Sequence, residues 1–145
     1  MKNSLFFILL IATISIAIAD QPQPIENKVV TIINSHNSQQ SISQNGLGAV
    51  FKMRLRRWQN GVPITVFVIN DKLPLHQQFC KKILNVFPHQ MRRVWDKAVF
   101  SGAGQAPIQL ENEQAMLKKI SSTPGAIGYL NSTHLTDKVK ILEVQ

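Results

Sequence analysis

The sequence predicts an α/β domain whose mixed or mostly parallel sheet is covered by helices. The first observation is that strand and helix patterns alternate along the chain, which is typical of such domains. The second is the composition of the two strongest strand patterns, residues 29–33 and 64–69. The first of these is a β-branched run without polar alternation, and such runs are typical of strands that are buried on both faces.

Residues 1–19 have the pattern of a signal peptide. Lys2 precedes an apolar block at residues 5–18, and an Ala-Ile-Ala sequence offers cleavage after Ala19. The block is shorter than the roughly 20 residues of a bilayer-spanning helix, so an uncleaved anchor is the less favoured alternative. We therefore expect a periplasmic or secreted protein.

The rest of the chain has the size of one domain. Removal of 19 of the 145 residues would leave 126, which is enough for one modest core and too few for two. A Pro- and Gln-rich stretch at residues 20–28 is expected to be a loose leader, and residues 29–145 are expected to form the domain. Cys80 is the only cysteine, so no internal disulfide can form, and its apolar neighbours predict a buried structural thiol.

The composition is basic, with sixteen Lys and Arg residues against eight Asp and Glu residues and a formal net charge of +8. This balance favours anionic partners or surfaces without identifying one. Four basic residues lie within residues 52–57, beside Trp58. A second basic patch comprises Lys81, Lys82, Arg92, Arg93 and Lys97. We interpret both as solvated surface with Trp58 in the core, and binding of nucleic acid or anionic lipid is the less favoured alternative.

The first half of the domain contains two strands and one helix. The first strand is followed by a polar loop at residues 34–40. A helix is expected to begin after Ser41 or Ser43, because either serine is a suitable N-cap. The apolar face of this helix comprises Leu47, Val50 and Phe51. An Asn-Gly turn at residues 60–61 then precedes the strand at residues 64–69.

The second half adds three helices and three strands. The predicted helices are residues 73–87, 89–99 and 111–121. The predicted strands are residues 108–110, 126–130 and 139–144, the last of them at an edge of the sheet. Pro74 is tolerated in the first turn of its helix, and Pro88 is expected to end that helix. Residues 101–107 are expected to form a flexible loop.

Residues 121–130 join the last helix to a strand through a sharp turn. Pro124 disfavours the helical conformation at Thr123, and Gly125 can adopt the positive φ of a type II turn. Gly128 lies within the strand that follows. A glycine at such a position indicates either a bulge or the close approach of another backbone or a ligand.

Several short motifs occur in order across residues 29–130. They are Trp58 with the Asn-Gly-Val-Pro-Ile sequence at residues 60–64, the Phe-Ser-Gly sequence at residues 100–102, and the Thr-Pro-Gly-Ala-Ile-Gly-Tyr sequence at residues 123–129. In this order they resemble the phosphate ABC transporter substrate-binding protein family, and more narrowly its short, single-lobe relatives. The resemblance implies a single lobe of a type 2 periplasmic-binding-protein-like fold, with a mixed sheet flanked by helices.

The resemblance also implies a ligand. The full-length family closes two lobes on an oxyanion and holds it with helix N-terminal amides, Ser or Thr hydroxyls and an arginine. In this chain Leu73 stands where the serine is expected, and His76 stands where the arginine is expected. The implied ligand is phosphate or a similar oxyanion. The candidate contacts, at the start of the second helix and in the flexible loop, are Asn70, Lys72, His76, Ser101 and Gly102.

The chain offers no pattern of catalytic residues. Its acidic residues are scattered, and it contains neither a nucleophile elbow nor a phosphate-binding P-loop. The four histidines lack metal-ligand spacing, and each is expected in a loop or on the surface. We therefore expect no catalytic residue, no metal site and no cofactor. The leading hypothesis is an exported, non-enzymatic solute-binding-protein-like domain. The alternative is an envelope interaction module that keeps the fold, has lost small-ligand binding, and binds an envelope protein or itself through the face where a second lobe would dock.

Overall fold

The computed structural model describes residues 27–145, so the predicted signal peptide and nearly all of the predicted leader lie outside the described residues. A five-stranded mixed sheet is flanked by helices and accompanied by a sheet of two short strands. The strands are β1 (Val29–Asn34), β2 (Ser41–Ile42), β3 (Thr65–Ile69), β4 (Ile108–Leu110), β5 (Ala126–Asn131), β6 (Val139–Ile141) and β7 (Glu143–Val144). The α-helices are α1 (Gln44–Phe51), α2 (Pro74–Gln78), α3 (Pro88–Phe100) and α4 (Glu113–Ser122). The predicted α/β class is confirmed.

The central sheet has the strand order β4-β3-β5-β1-β6. Strand β3 runs parallel to β4 and β5, whereas β1 runs antiparallel to β5 and β6. All six residues of β1 are buried, which explains why its sequence lacks polar alternation. The parallel strands β3, β4 and β5 all end at one edge of the sheet, the carboxyl edge, and all begin at the opposite amino edge.

The turn before β5 is held by the side chain of Trp58. Thr123 has the extended φ of −116° that the following proline requires, and Gly125 has a φ of +75°, as the sequence predicts. The Trp58 indole donates a hydrogen bond to the carbonyl of Gly125 at 3.0 Å. A Cβ atom at Gly125 would overlap the carbonyl oxygen of Pro63. Trp58 is buried, as predicted, and ties the Asn-Gly turn to the start of the sheet.

Helix α4 packs directly on β5, and Gly128 makes this contact possible. A Cβ atom at Gly128 would overlap the Met116 sulfur and lie 2.7 Å from Cδ1 of Ile120. Both of these α4 side chains are fully buried. The register between β1 and β5 continues through Gly128 without interruption, so the glycine marks a close approach rather than a bulge. The approaching atoms belong to helix side chains, and not to a backbone or a ligand.

The predicted helix over residues 73–87 is wrong in its length and its form. Helix α2 spans Pro74–Gln78 and continues as a π-helical turn over Phe79–Ile83. Asn85 then adopts a left-handed φ of 58°, and the Val86 amide donates to the carbonyl of Cys80 at 3.0 Å. Asparagine thus takes the left-handed position after the helix that is usually occupied by glycine. Asn85 therefore ends the helix before Pro88 is reached.

The other helices lie close to their predicted positions. Helix α1 has Ser43 as its N-cap, and the Ser43 hydroxyl accepts from the Gly46 amide. Helix α3 is longer than the predicted helix by one residue at each end. Helix α4 begins two residues late because Asn112 caps it, with Oδ1 accepting from the Ala115 amide at 2.9 Å. The predicted last strand is divided at buried Leu142, where the chain passes from β6 beside β1 to β7 beside β2. Within residues 27–145 no helix has the length and apolarity needed to cross a membrane.

Candidate functional site at the carboxyl edge

The carboxyl edge contains a cavity of about 320 Å³. Its position follows from the topology, because ligands of α/β proteins bind beyond the carboxyl ends of parallel strands. The walls come from the ends of the strands and from the segments that open α2 and α4. The lining residues are Asn27, Ile69, Leu73, Pro74, Leu75, Gln78, Asn112, Glu113 and Asn131. Only one of these nine side chains, that of Glu113, carries a formal charge.

The Glu113 carboxylate already has partners within the chain. Its Oε2 accepts a hydrogen bond from the backbone amide of Asn131 at 2.8 Å and lies 2.9 Å from Nδ1 of His134. This carboxylate stands in the first turn of α4, where the helix dipole favours a negative charge. The anion at this helix N-terminus is therefore supplied by the protein itself.

Asp71, in the segment before α2, and Arg92 of α3 form an ion pair. Asp71 accepts two hydrogen bonds from the Arg92 guanidinium, at 2.9 Å from Nε and 2.8 Å from Nη2. The hydrogen bond from Arg92 to Asp71 raises the pKa of the guanidinium. The guanidinium also lies 5.0 Å from the centre of the Trp95 ring, a cation–π distance. Arg92 is thereby engaged by a carboxylate and an aromatic face, which reduces what it offers to an external anion.

His76 is buried, which corrects the prediction that every histidine lies in a loop or on the surface. Its residue exposure is 1%, whereas His36, His89 and His134 are exposed. The reason is the short helix α2, which turns His76 inward against Tyr129 rather than outward at the cavity. Nδ1 lies 2.5 Å from the Tyr129 hydroxyl. His76 is thus a core residue in contact with the edge of the sheet.

A chain of hydrogen bonds runs through His76. The Ile69 amide donates to the Tyr129 hydroxyl at 3.0 Å, and that hydroxyl can then donate to Nδ1 of His76. This pattern assigns the remaining proton of the neutral ring to Nε2, which faces Oδ1 of Asp71 at 3.5 Å and Sγ of Cys80 at 3.3 Å. Burial lowers the pKa of His76, while the Asp71 carboxylate opposes the shift and Arg92 adds to it. The ring is neutral at pH 7.

The groups around His76 are similarly unreactive. Burial raises the pKa of the Tyr129 hydroxyl, partly offset by the hydrogen bond from Ile69. Burial, with a smaller contribution from Asp71, raises the pKa of the Cys80 thiol to about 12. Cys80 is fully buried, so the predicted structural thiol is confirmed. A nucleophilic cysteine needs a lowered pKa, and this environment produces the opposite shift.

The structure divides the predicted contact residues between the two edges of the sheet. Asn70, Lys72 and His76 lie at the carboxyl edge, but Ser101 and Gly102 follow α3 and lead into the beginning of β4, at the amino edge. The five residues therefore do not form one site. Whether neighbouring strands run parallel or antiparallel decides which loops lie at the same edge of the sheet. The sequence alone did not specify these strand directions.

The individual residues at the carboxyl edge differ in what they offer a ligand. Asn70 uses its Oδ1 to accept from the Lys72 amide at 2.9 Å, so it shapes the turn before α2. Lys72 is exposed but does not line the cavity. Asn112, Glu113 and Asn131 were missed by the sequence reasoning. The available signal was their position, since Asn131 directly follows a predicted strand, and Asn112 and Glu113 lie in the first turn of the helix predicted after the strand at residues 108–110.

No protein-family model and no curated protein matches the sequence. Among solved structures, similar folds include a protein described as a phosphate ABC transporter substrate-binding protein with bound phosphate from Clostridium perfringens, with a TM-score of 0.64 and 12% identity. An ABC-type phosphate transport receptor from Vibrio cholerae has a TM-score of 0.62 and 10% identity. PstS from Borrelia burgdorferi has a TM-score of 0.59 and 15% identity.

These likenesses cover 81% of this chain and 45%, 46% and 47% of the three matched chains, respectively. The chain thus spans less than half the length of the proteins it resembles. The fold is a single lobe of the type 2 periplasmic-binding-protein-like class, as the sequence predicts. At these identities the likeness concerns the fold.

Proposed function

We propose that the chain is an exported, non-enzymatic binding module of the solute-binding-protein type, whose carboxyl edge binds an uncharged, apolar segment of a protein partner. The observation that carries the proposal is the composition of the cavity. The lining combines the apolar residues Ile69, Leu73 and Leu75 with four amide side chains, and no cation is among the lining residues. Leu73 is 36% exposed and offers an apolar contact beside these amide side chains.

The cavity is poorly suited to phosphate. Glu113 is its only charged lining residue, and Arg92 is engaged by Asp71. A unit negative charge placed about 5 Å from a carboxylate is repelled by roughly 3 kcal/mol at an effective dielectric constant of about 20. Pro74, at the first position of α2, also lacks the backbone N–H that could donate a hydrogen bond to an anion. These features favour a partner without negative charge.

Recognition of phosphate or a similar oxyanion is the second candidate function. It is favoured by the likeness of the fold to a protein with bound phosphate, and Lys72 stands exposed beside the cavity. In this version a second lobe, supplied by another molecule, would complete the anion site. Asn70, Lys72 and His76 remain its proposed contacts on this chain, and Ser101 and Gly102 would lie too far away at the amino edge.

Calorimetric titration with phosphate and with sulfate separates the two candidates. The partner-binding function predicts no heat and no thermal stabilisation at millimolar anion concentrations. Heat that disappears in Lys72→Ala but persists in the amino-edge control Ser101→Ala would favour the oxyanion function instead.

A photo-crosslinking residue at Gln78 tests the partner directly in producing cells. The matched control is the same probe at Gln59, which is exposed in the Trp58–Gly61 turn. We expect a specific adduct from position 78 that is lost in Leu73→Asp, because a charge at this apolar contact should exclude an apolar segment. Light scattering of the purified protein distinguishes a foreign partner from a second copy. Equal adducts from both positions, unaffected by Leu73→Asp, would contradict the proposal.

A further inference from the structure

A second concave surface lies at the amino edge, opposite the cavity described above. We call it the basic groove. Its volume is about 550 Å³. Its lining residues are Lys52, Met53, Arg54, Arg56, Val94, Lys97, Ala98, Ser101, Ala103 and Gly104. Four of the ten lining side chains are thus cationic, and most of the others are small or apolar.

Local backbone geometry brings these cations together from distant parts of the chain. Met53 has a left-handed φ of 62° shortly after α1, and Arg56, three residues later, contacts the segment that follows α3. The Arg56 guanidinium donates to the carbonyl of Ala103 at 3.0 Å from Nη2 and to that of Met53 at 3.3 Å from Nε. Arg56 is therefore anchored across the groove, and Lys97 reaches the same groove from α3.

The groove has a strong local excess of positive charge. No Asp or Glu side chain lines it, and among residues 27–145 no carboxylate forms an ion pair with any of its four cations. The nearest acid in sequence, Asp96, does not line the groove. Like charges held this close repel one another, so an anion that binds between them gains both attraction and relief of that repulsion.

Two apolar side chains that precede the groove residue Ser101 in sequence are exposed. Phe100 ends α3 immediately before the groove residue Ser101 and is 93% exposed. Its neighbour Val99 is 51% exposed. An exposed aromatic ring next to clustered cations is typical of proteins that bind anionic membranes, where the cations meet phosphates and the ring enters the interface.

The aromatic residues favour a membrane over a nucleic acid. Binding of single-stranded nucleic acid relies on several exposed rings that stack successive bases along a basic groove. Here Trp58 and Trp95, the two tryptophans of the sequence, are 5% and 1% exposed. They are unavailable for stacking because both indoles are hydrogen-bonded in the core, to the carbonyls of Gly125 and Phe51.

We propose that the basic groove and Phe100 form a docking surface for an anionic phospholipid membrane. The phosphodiester headgroups lie between Lys52, Arg54, Arg56 and Lys97, and the Phe100 ring enters the interface beside them. The surface is separate from the carboxyl edge, so the partner proposed above could be bound while the domain is docked on a membrane.

Co-sedimentation with lipid vesicles tests this surface. The protein is purified from the producing cells in its mature form. Vesicles of phosphatidylethanolamine with phosphatidylglycerol are compared with vesicles of phosphatidylcholine alone. We expect binding only to the anionic vesicles, with affinity falling as ionic strength rises from about 0.05 to about 0.3 M, because the screening length shortens over that range. Equal binding to both kinds of vesicle would overturn the proposal.

Variants with matched charge changes locate the surface. The triple variant Lys52→Gln, Arg54→Gln and Lys97→Gln removes three cations and leaves the structural residue Arg56 in place. Each removed cation is expected to weaken binding about five-fold, so the triple variant should bind on the order of a hundred-fold more weakly. The control variant removes three cations from another face, at Lys118, Lys119 and Lys138, and should lose much less. Equal losses in the two triple variants would show general charge attraction and refute a specific surface.

Two further measurements distinguish a membrane from other anions. Phe100→Ser is expected to weaken vesicle binding several-fold while leaving the melting temperature unchanged, since the ring is exposed. Glycerol phosphate at millimolar concentration should displace little protein, because it offers neither a surface nor an apolar phase. Full displacement by glycerol phosphate, or binding to a thymidine oligonucleotide that is tighter than to anionic vesicles, would overturn the membrane assignment.

Discussion

Replacing Tyr129 by phenylalanine removes one oxygen atom from the buried chain of hydrogen bonds. That oxygen accepts from the Ile69 amide and lies 2.5 Å from Nδ1 of His76. Without it, both groups lose their partner in a region that excludes water, because the Phe79 ring stacks on Tyr129 at a centroid distance of 4.0 Å. An unsatisfied buried polar group costs about 1–3 kcal/mol, so we expect Tyr129→Phe to lower the free energy of unfolding by about 3 kcal/mol.

Urea unfolding, followed by circular dichroism, measures this loss, and the melting temperature should fall on the order of 10 °C for a domain of this size. The double variant Tyr129→Phe with His76→Leu removes the orphaned nitrogen as well. Its cost is therefore expected to be at least about 1 kcal/mol smaller than the sum of the two single variants. A single-variant loss below about 0.5 kcal/mol, or additive losses, would refute the proposed chain of hydrogen bonds.

Four further predictions concern stability and reactivity. Gly125→Ala should destabilise the domain by about 3 kcal/mol or more in urea unfolding, since it combines a positive φ with an overlap, whereas Gly61→Ala, with a φ of 82° and open space, should cost about 1 kcal/mol. Thr31→Val should stabilise by up to about 1 kcal/mol, because the buried Thr31 hydroxyl has no hydrogen-bond partner in the described structure; a loss would contradict this. The Cys80 thiol, with its pKa raised to about 12, should react with a thiol reagent only at the rate of unfolding; fast labelling of the native protein would disprove it. Because the pKa of His76 is lowered in the folded state, the unfolded chain binds a proton more readily. The contribution of neutral His76 to the free energy of unfolding is therefore fully present above the ordinary pKa of 6.5 and is lost as the pH falls below it. His76→Leu should make the free energy of unfolding less dependent on pH in that range.

The sequence predicted the features that depend on local backbone chemistry. The Thr-Pro-Gly turn was predictable because proline restricts Thr123 and glycine alone suits the positive φ at Gly125. The burial of β1 was predictable from its β-branched run without polar alternation. The N-cap at Ser43 followed from its hydroxyl and the helical pattern after it.

Features that depend on which segments meet in space were not predicted. Asn85 ends a helix through a left-handed conformation that asparagine adopts only in some contexts, and the obvious signal, Pro88, lies three residues later. The inward orientation of His76 depends on Tyr129, which is 53 residues away. The separation of Asn70 from Ser101 depends on the direction of β4 in the sheet. The grouping of Arg54 with Lys97 in one groove likewise depends on tertiary contacts.

The position of β1 also has a consequence for how the chain acquires its fold. β1 is the first strand of the chain, yet both of its neighbours come from the last part: Ile33 pairs with Ile127, and Ile32 pairs with Ile141. Contacts between residues roughly a hundred positions apart form slowly, because a long loop must close before they contribute. The sheet therefore cannot be completed until the residues of β6 have been synthesised, and until then β1 lacks both of its neighbours.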